Sequence, residues 1–324
     1  MKLLVTGGAG FIGSHLVRSV LWDRLPGLEG ARVTVLDKLT YAGNLANLGP
    51  VAESDRLDFI PGDVCDAALV DTVMRGVDAV VHAAAESHVD RSIVAAGEFA
   101  VTNVIGTQVL LDAALRHGTA RFLHVSTDEV YGSIPAGAWT ERSSVRPNSP
   151  YAATKASSDL LALAYHRTHG LPVVVTRCSN NYGPFQHPEK LIPRFVTNLL
   201  SGRTVPLYGD GSQVRDWVHV DDHCRGLALA LADGEPGEVY HIAGTVELTN
   251  RELTDRLLEL CGAGQDRVVH VADRKGHDFR YALDDDRIRR ELGYRPRVGF
   301  DAGLAATVAW YRDHEPWWRP LTID

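Results

Sequence analysis

The segment that most constrains this 324-residue chain is a short apolar run followed at once by a cluster of glycines. Leu3 to Thr6 has the pattern of a buried strand, and Gly7-Gly8-Ala9-Gly10-Phe11-Ile12-Gly13 leads from it into a helical pattern over 14–22. Glycines at these spacings allow a sharp turn, a close approach to a pyrophosphate and tight packing of the new helix. The helix N-terminus then offers amide donors and partial positive charge to phosphates. The sequence therefore predicts a dinucleotide-binding turn.

A carboxylate, Asp37, ends the second predicted strand, which covers 32–36. A carboxylate in this place can accept hydrogen bonds from both hydroxyls of an adenosine ribose and would repel a 2′-phosphate, so NAD is favoured over NADP. Lys38 beside it weakens this preference, because a cation tolerates phosphate. Asp63, just after the strand predicted over 57–61, can reach the adenine amino group.

Apolar strands alternate with helices through the first half of the chain. Further strands are predicted over 79–82, 121–126 and 173–176, and helices over 67–74, 97–117 and 150–168. Such alternation is typical of a parallel sheet that is covered on both faces and binds ligands at its carboxyl edge. We predict an α/β fold: a Rossmann-type doubly wound parallel sheet with a smaller, discontinuous C-terminal substrate-binding lobe. The expected domains are 1–179 for NAD binding, to which the chain returns around 214–243, and 180–324 for mainly the lobe.

Tyr151 and Lys155 are four residues apart in a predicted helix, so they lie on one face. A phenol near pKa 10 is a poor base unless its phenolate is stabilised, and a neighbouring ammonium group together with a positive nicotinamide ring would do this. Taken alone, the pair fits the first turn of a helix that opens with Pro150. Near a dinucleotide site, it predicts removal of a hydroxyl proton during hydride transfer.

Thr127-Asp128-Glu129 follows the strand predicted over 121–126 and precedes Tyr131. Taken alone, such a triplet is typical of a helix cap or a solvated turn. Beside the tyrosine and lysine it adds a second acid and a second base to a site that would otherwise only oxidise. We therefore favour a site that oxidises, eliminates water and reduces again.

The glycine turn and Tyr151-Ala152-Ala153-Thr154-Lys155 resemble the extended short-chain dehydrogenase/reductase family. Within it, further segments resemble the dTDP-glucose 4,6-dehydratases: 37–44, 85–92, 126–132, Asn180-Asn181-Tyr182-Gly183-Pro184, and 274–278. The resemblance covers nearly the whole chain. It implies an NAD-dependent lyase that oxidises C4 of dTDP-glucose, eliminates water across C5 and C6, and returns hydride to C6. It also implies that Thr127 orients the 4-oxygen, Asp128 is the acid and Glu129 the base.

The resemblance further implies two sets of binding residues. The cofactor set is Gly7, Gly10, Phe11, Ile12, Gly13, Asp37, Lys38, Leu39, Thr40, Asp63, Val64, Ala83, Ala84, Ala85, Thr102, Tyr151, Lys155 and Asn181. The substrate set is Ser87, Thr127, Asn180, Lys190, Leu191, Pro206, Leu207, Tyr208, Arg215, Asn250, Arg274 and His277. Arginines suit a diphosphate because their planar fork binds its oxygens in pairs.

Composition excludes several other classes of protein. The formal net charge is −8, which argues against non-specific binding to nucleic acid or to an anionic membrane. No signal peptide and no apolar run long enough to cross a bilayer are evident, and the four cysteines are widely scattered. We therefore expect a cytoplasmic protein with reduced cysteines.

His219 and His223 have the spacing of a helical metal pair, but the sequence offers no third ligand, so we predict no metal. Asp221 or Asp222 is the expected helix cap there. The resemblance also implies a homodimer that pairs the helices at 97–117 and 150–168. Open alternatives are a nucleotide-sugar 4-epimerase or a UDP-glucuronate decarboxylase on the same scaffold, or an inactive NAD-binding regulator.

Overall fold

A computed structural model describes residues 1–322 of the chain. The strands are β1 (Lys2–Thr6), β2 (Arg32–Asp37), β3 (Leu57–Pro61), β4 (Ala79–His82), β5 (Arg121–Thr127), β6 (Val173–Cys178), β7 (Asn180–Tyr182), β8 (Val205–Tyr208), β9 (Val214–His219), β10 (Val239–Ile242), β11 (Val246–Thr249) and β12 (Val268–Val271).

The α-helices are α1 (Phe11–Leu21), α2 (Ala67–Val73), α3 (Val89–Val94), α4 (Ala96–Phe99), α5 (Gly106–His117), α6 (Pro150–His169), α7 (Leu191–Leu200), α8 (Val220–Asp233), α9 (Asn250–Cys261), α10 (Asp286–Leu292), α11 (Phe300–Asp313) and α12 (Glu315–Trp318). Short 3₁₀ helices cover Leu45–Val51, Asp128–Tyr131, Gln265–Arg267 and Arg319–Leu321, and a π-helical segment covers Ala100–Ile105. Within residues 1–322, no helix combines the length and apolarity needed to cross a bilayer.

The main sheet of the described chain has seven parallel strands in the order β10-β6-β5-β4-β1-β2-β3. The strand order reverses between β1 and β4, which is where ligands bind in doubly wound sheets. Separate apolar clusters cover the two faces of the sheet, so its central strands are buried on both sides. This arrangement confirms the predicted Rossmann-type fold class.

The lobe has its own small sheets and its own apolar core. Within the described residues, β11, β9 and β7 form one sheet and β12 pairs with β8 in another. Of the segment 214–243, β9 lies in the lobe sheet, whereas α8 packs beside the main sheet and β10 extends its edge. The domain boundary near residue 179 stays a prediction.

The helix predicted over 97–117 is divided by the π-helical segment between α4 and α5. The buried side chain of Asn103 lies in this wider turn and connects it to other segments. Its Oδ1 accepts from Glu86 N, and its Nδ2 donates to Glu86 O and, at 2.9 Å, to Thr154 Oγ1. The neighbouring Thr102 lines a cleft at the edge of the sheet. Single π-turns of this kind are frequent at functional sites.

Candidate active site

The glycine turn forms a closed cradle at the carboxyl end of β1. Gly7 N donates to Leu36 O at 2.9 Å, and Gly10 N donates to Gly7 O at 3.1 Å. Gly7 has φ of 70°, and a Cβ there would lie 2.7 Å from the backbone of Ala84. A Cβ on Gly13 would collide with Gly7 O. These contacts require glycine for the close packing of the turn, and Gly7, Gly10 and Gly13 line a cleft at the start of α1, where the cradle fits the pyrophosphate of a dinucleotide.

Replacing Gly13 with Ala is therefore expected to displace the turn and to weaken NAD binding by at least tenfold, measured by calorimetry. The physical reason is the collision of the new methyl group with backbone that cannot rotate away. Gly49→Ala is the matched control, because no atom lies within 4 Å of a Cβ at that position. Equal NAD affinity in both variants would contradict this function of the turn.

The predicted ribose carboxylate lies beside the cradle. Asp37 Oδ2 accepts from Ala9 N at 2.9 Å and Oδ1 accepts from Leu39 N at 2.8 Å, so backbone amides fix its orientation. Lys38 Nζ donates to Thr102 Oγ1 at 3.1 Å and lies 3.4 Å from Asp63 Oδ2. Leu39 and Asp63 lie outside the lining of the cleft, although Asp63 contacts Lys38, which lines it.

The other predicted cofactor residues line one continuous cleft. It includes Gly7, Gly10, Phe11, Ile12, Gly13, Asp37, Lys38, Thr40, Val64, Ala83, Ala84, Ala85, Thr102, Tyr151, Lys155 and Asn181. The predicted catalytic residues Thr127, Asp128 and Glu129 line the same cleft, together with Ser87 from the substrate set.

The helix α6 brings Tyr151 and Lys155 into this cleft. Ser149 caps its start by accepting from Ala152 N, and Pro150 occupies its first turn. Both predicted residues are buried, and Lys155 Nζ donates to Val125 O at 2.8 Å. Burial lowers the pKa of Lys155 to about 8, against the opposing charge of Asp159.

The phenol of Tyr151 is not activated by lysine alone. Burial, followed by the nearby charge of Glu129, raises the pKa of Tyr151 well above its ordinary value. Sequence reasoning counted Lys155 and the positive nicotinamide ring as favourable but did not anticipate that burial and Glu129 oppose ionisation of the phenol. Further positive charge close to the ring is therefore needed to form a phenolate.

Thr127, Asp128 and Glu129 lie where β5 ends. Thr127 Oγ1 accepts from Glu129 N at 3.3 Å, which is the cap expected of such a triplet, and donates to Asp128 Oδ1 at 3.2 Å. The side chain of Asp128 is almost fully buried. The cap and the catalytic interpretation are thus compatible.

The two carboxyl groups have different surroundings. Burial, then the charge of Glu129, raises the pKa of Asp128 well above its ordinary value. Burial also raises the pKa of Glu129, but the cations of Lys190 and Arg215 oppose that shift. Adjacent carboxyl groups in different environments are suited to separate roles as acid and base. Asp128 is the better proton donor and Glu129 the better acceptor.

A second cleft adjoins the first and shares Glu129 with it. Its lining contains the remaining predicted substrate residues: Asn180, Lys190, Leu191, Pro206, Leu207, Tyr208, Arg215, Asn250, Arg274 and His277. Thr127 and Ser87 line the cofactor cleft instead. The structure therefore brings all predicted substrate residues to one pair of joined clefts.

The second cleft is lined by both cations and acids, so an anionic ligand would depend on contacts to individual cations. The cations are Lys190, Arg194, Arg215 and Arg274, and the acids are Asp90, Glu129, Glu189 and Asp278. Lys190 Nζ donates to Ser87 O at 2.7 Å, and the Arg215 guanidinium lies 4.4 Å from the ring centroid of Tyr281. Arg274 Nη2 donates to Asp90 Oδ2 at 3.1 Å across the mouth of the cleft. A diphosphate at Arg274 must share this guanidinium with Asp90 or replace that contact.

Sequence reasoning missed several lining residues of the substrate cleft. Glu189 accepts from the hydroxyl of Tyr41 at 3.1 Å and lies 3.6 Å from His88 Nε2. Tyr281 donates to Asp278 Oδ2 at 2.6 Å. Their proximity to predicted substrate residues in the sequence could have identified them, because Glu189 directly precedes Lys190, and Asp278 and Tyr281 follow His277.

Of the histidine pair at 219 and 223, His219 has a structural role. His219 itself caps α8, because its Nδ1 accepts from Asp221 N at 3.2 Å. The expectation that Asp221 or Asp222 is the cap was therefore wrong: Asp222 instead accepts from the backbone of Arg297 and Val298. Among residues 1–322, no group of three or more histidine, cysteine or acidic side chains is arranged to hold a metal ion.

The names of known proteins similar to this chain are consistent with the chemistry inferred from the site. The family model described as GDP-mannose 4,6 dehydratase matches residues 4–307. A dTDP-glucose 4,6-dehydratase from Streptomyces niveus is 63% identical over 321 residues, covering 99% of this chain and 96% of that protein. The crystal structure of DesIV, a dTDP-glucose 4,6-dehydratase from Streptomyces venezuelae with NAD bound, has a TM-score of 0.98 at 64% identity and covers 99% of this chain and 100% of that one.

An epimerase shares the scaffold at lower similarity. The UDP-glucose 4-epimerase of Thermotoga maritima has a TM-score of 0.89 at 32% identity, covering 97% of this chain and 99% of that one. The fold is thus common to several activities, and the dehydratases are the more similar relatives. The resemblance found in the motifs is confirmed: the chain belongs to the family of dTDP-glucose 4,6-dehydratases.

Proposed function

We propose that this protein converts dTDP-glucose into dTDP-4-keto-6-deoxyglucose and water, as an NAD-dependent hydro-lyase. The observation that carries the proposal is the pair Asp128 and Glu129, two carboxyl groups in different environments that both line the cofactor cleft, with Glu129 also lining the second cleft. Tyr151 and Lys155 line the same cleft. Relatives of 63% and 64% identity bear the name of this activity.

Each catalytic residue has a separate task. Tyr151 takes the proton of the 4-hydroxyl, with Thr127 holding the 4-oxygen and Lys155 stabilising the phenolate. NAD, when bound in the glycine cradle, takes up hydride from C4, returns it to C6, and places a cationic ring near the phenol. Glu129 then removes the C5 proton, which the neighbouring ketone has made acidic.

Elimination is completed by Asp128, which donates its proton to the departing 6-hydroxyl. The C5–H and C6–O bonds break, a C5–C6 double bond forms, and one water leaves. Hydride added at C6 and a proton added at C5 then give the keto-deoxy product. Burial raises the pKa of Asp128, which favours the protonated form that this step requires.

The diphosphate and base of the nucleotide fit the second cleft. Arg215, Arg274 and Lys190 supply charge there, and the Arg274 guanidinium lies 5.3 Å from the ring centroid of Tyr208. Charge-assisted hydrogen bonds from arginine are well suited to phosphate oxygens. The substrate must therefore extend from Glu129 towards Tyr208.

Product analysis tests the proposal. The protein with NAD is offered dTDP-, UDP- and GDP-glucose, and products are analysed by mass spectrometry. We expect dTDP-glucose to give a product lighter by one water. A product of unchanged mass would favour the 4-epimerase, and absence of turnover with all three would favour the inactive regulator.

We also propose that the protein functions in the cytoplasm. Cys65, Cys178, Cys224 and Cys261 are free thiols, which are typical of a reducing compartment. Cell fractionation checks this, and recovery of the protein outside the cytoplasm would contradict it.

We further propose a homodimer built on the surface of α3, the π-helical segment and α6. This surface exposes apolar side chains whose burial in a partner would be favourable: Ile93, Val94, Val101, Ile105 and Leu160. Val94 is 84% exposed and Leu160 is 60% exposed. Exposed apolar side chains grouped on neighbouring helices are typical of an interface between copies.

Sedimentation at micromolar concentration is expected to show a dimer that Leu160→Arg converts to a monomer. A charge placed in the apolar interface would remain unpaired when buried, which is strongly unfavourable. Val269→Arg, at an exposed apolar residue on β12, is the control and leaves the dimer intact. A monomeric wild-type protein would refute the proposal.

A further inference from the structure

The C-terminal helices contribute to a group of aromatic rings that we call the aromatic cluster: Phe185, Trp310, Tyr311, Trp317 and Trp318. Phe185 lies with its ring centroid 4.5 Å from Trp310 and 5.5 Å from Trp317. Trp310 and Trp317 are 5.1 Å apart. Such a cluster anchors terminal helices by burial alone. Its polar atoms, however, form hydrogen bonds that connect the cluster to the cofactor cleft.

A first chain of hydrogen bonds runs from the cluster to the glycine turn. Trp317 Nε1 donates to Asn47 Oδ1 at 2.9 Å, and Asn47 Nδ2 donates to Ala9 O at 2.8 Å. Asn47 is almost fully buried. Arg18, on α1, donates to Asn47 O at 2.5 Å and lies 4.2 Å from the ring centroid of Phe185. The cluster therefore holds the turn through one amide side chain.

A second chain runs to residues of β7 and the segment after it that line the cofactor cleft. Trp318 Nε1 donates to Tyr311 O at 2.6 Å, and the Tyr311 hydroxyl donates to Gln186 O. Gln186 Nε2 in turn donates to Asn181 O at 2.9 Å. Gln186 and Asn181 both line the cleft. Phe185, next to Gln186, has φ of 67°, a backbone conformation that persists only where its surroundings impose it.

We propose that the aromatic cluster is a clamp of positioning residues that holds the glycine turn and the Asn181–Gln186 segment of the cofactor cleft, and so determines how long the dinucleotide stays bound. Ala9 and Asn181 belong to different elements, and the cluster is connected to both. A site held in its binding geometry before the ligand arrives gives higher affinity, because less ordering is required on binding. The inference relies on the NAD-binding part of the proposed function and is independent of the dehydration chemistry.

The test separates the hydrogen-bond chain from packing. Trp317→Phe keeps an aromatic ring but removes the donor to Asn47. Asn47→Asp keeps an acceptor for Trp317 but turns a carboxylate oxygen towards Ala9 O, where the donor was. Trp22→Phe, at an exposed tryptophan at the end of α1, is the control.

The readouts are the rate of NAD dissociation from the holoenzyme, followed by tryptophan fluorescence, and the melting temperature of each variant without NAD. We expect NAD to dissociate about fivefold to tenfold faster from Trp317→Phe, the effect of one lost hydrogen bond. Asn47→Asp is expected to lose NAD at least as fast, although its bond to Trp317 is retained. Trp22→Phe is expected to match the wild type.

NAD dissociation rates within twofold of the wild type in both clamp variants would overturn the proposal, even where their melting temperatures fall, and would leave the cluster as packing only. A wild-type protein that does not bind NAD would overturn both this inference and the proposed cofactor site. A wild-type protein that binds NAD but does not turn over dTDP-glucose would overturn the proposed reaction alone.

Discussion

Replacing Glu129 with Gln is expected to slow product formation from dTDP-glucose by roughly a hundredfold to ten-thousandfold, the usual loss when a general base is removed. Glutamine has nearly the same shape as glutamate but cannot accept the C5 proton. The side chain lies at the junction of the two clefts, beside the cations of Lys190 and Arg215. The measurement is kcat with saturating dTDP-glucose and NAD.

Binding should survive this substitution, because most contacts to the nucleotide are expected from Arg215, Arg274 and Asn250 in the second cleft. Calorimetry with dTDP is therefore expected to give an affinity close to that of the wild type. Glu53→Gln, on an exposed surface, controls for the removal of a carboxylate and leaves turnover unchanged. Near-normal turnover by Glu129→Gln would remove Glu129 from its assigned role.

A comparable loss is expected for Tyr151→Phe, because the substitution removes the only oxygen assigned to accept the 4-hydroxyl proton. Turnover of dTDP-glucose should fall by roughly a hundredfold to ten-thousandfold. The ring keeps its edge-to-face contact with Phe99, whose centroid is 6.4 Å away, so the packing of α6 is largely retained. Steady-state kinetics measures the effect.

Tyr165→Phe is the matched control for this second substitution. It lies on the same helix, and its hydroxyl donates to Asp112 at 2.5 Å, away from the clefts. Full turnover in the control and loss in Tyr151→Phe would assign the effect to the position of the hydroxyl. A Tyr151→Phe variant with more than about a tenth of wild-type turnover would show that another group takes the proton, given the factors usual for this catalysis.

The fold was predictable because its strongest signals are local. A strand, a glycine turn and a helix are adjacent along the chain, and their steric needs are visible in the residue types themselves. The alternation of apolar strands with helices then specifies a parallel sheet, and parallel strands collect their carboxyl ends on one edge. This explains why motifs as distant as Gly7 and Thr127 could be assigned to one cleft.

The electrostatics of the site were less predictable, because they depend on contacts between distant segments. The sequence shows that Lys155 is one turn from Tyr151, but not that burial and Glu129 raise the pKa of the phenol. It likewise shows two adjacent acids without showing that Arg215 lowers the pKa of both, whereas Lys190 is a leading opposing charge at Glu129. Such differences follow from tertiary structure alone.

Contacts between segments that are far apart in the sequence were also not predictable. Arg274 was assigned to a diphosphate, and in the structure it pairs with Asp90 from α3. Helix 97–117 was predicted as continuous, whereas the side-chain bonds of Asn103 to Glu86 and Thr154 accompany a π-helical interruption. In each case the partner is far away in the sequence, and no local pattern identifies it.

Transfer of the hydrogen at C4 tests the central claim most directly, since a single nicotinamide must remove it and return it within one turnover. The protein is incubated with NAD and dTDP-glucose deuterated at C4, and the product is analysed by nuclear magnetic resonance. The account predicts deuterium at C6 of a 4-keto-6-deoxy sugar. Deuterium retained at C4 of an inverted sugar, or its loss to solvent, would contradict it.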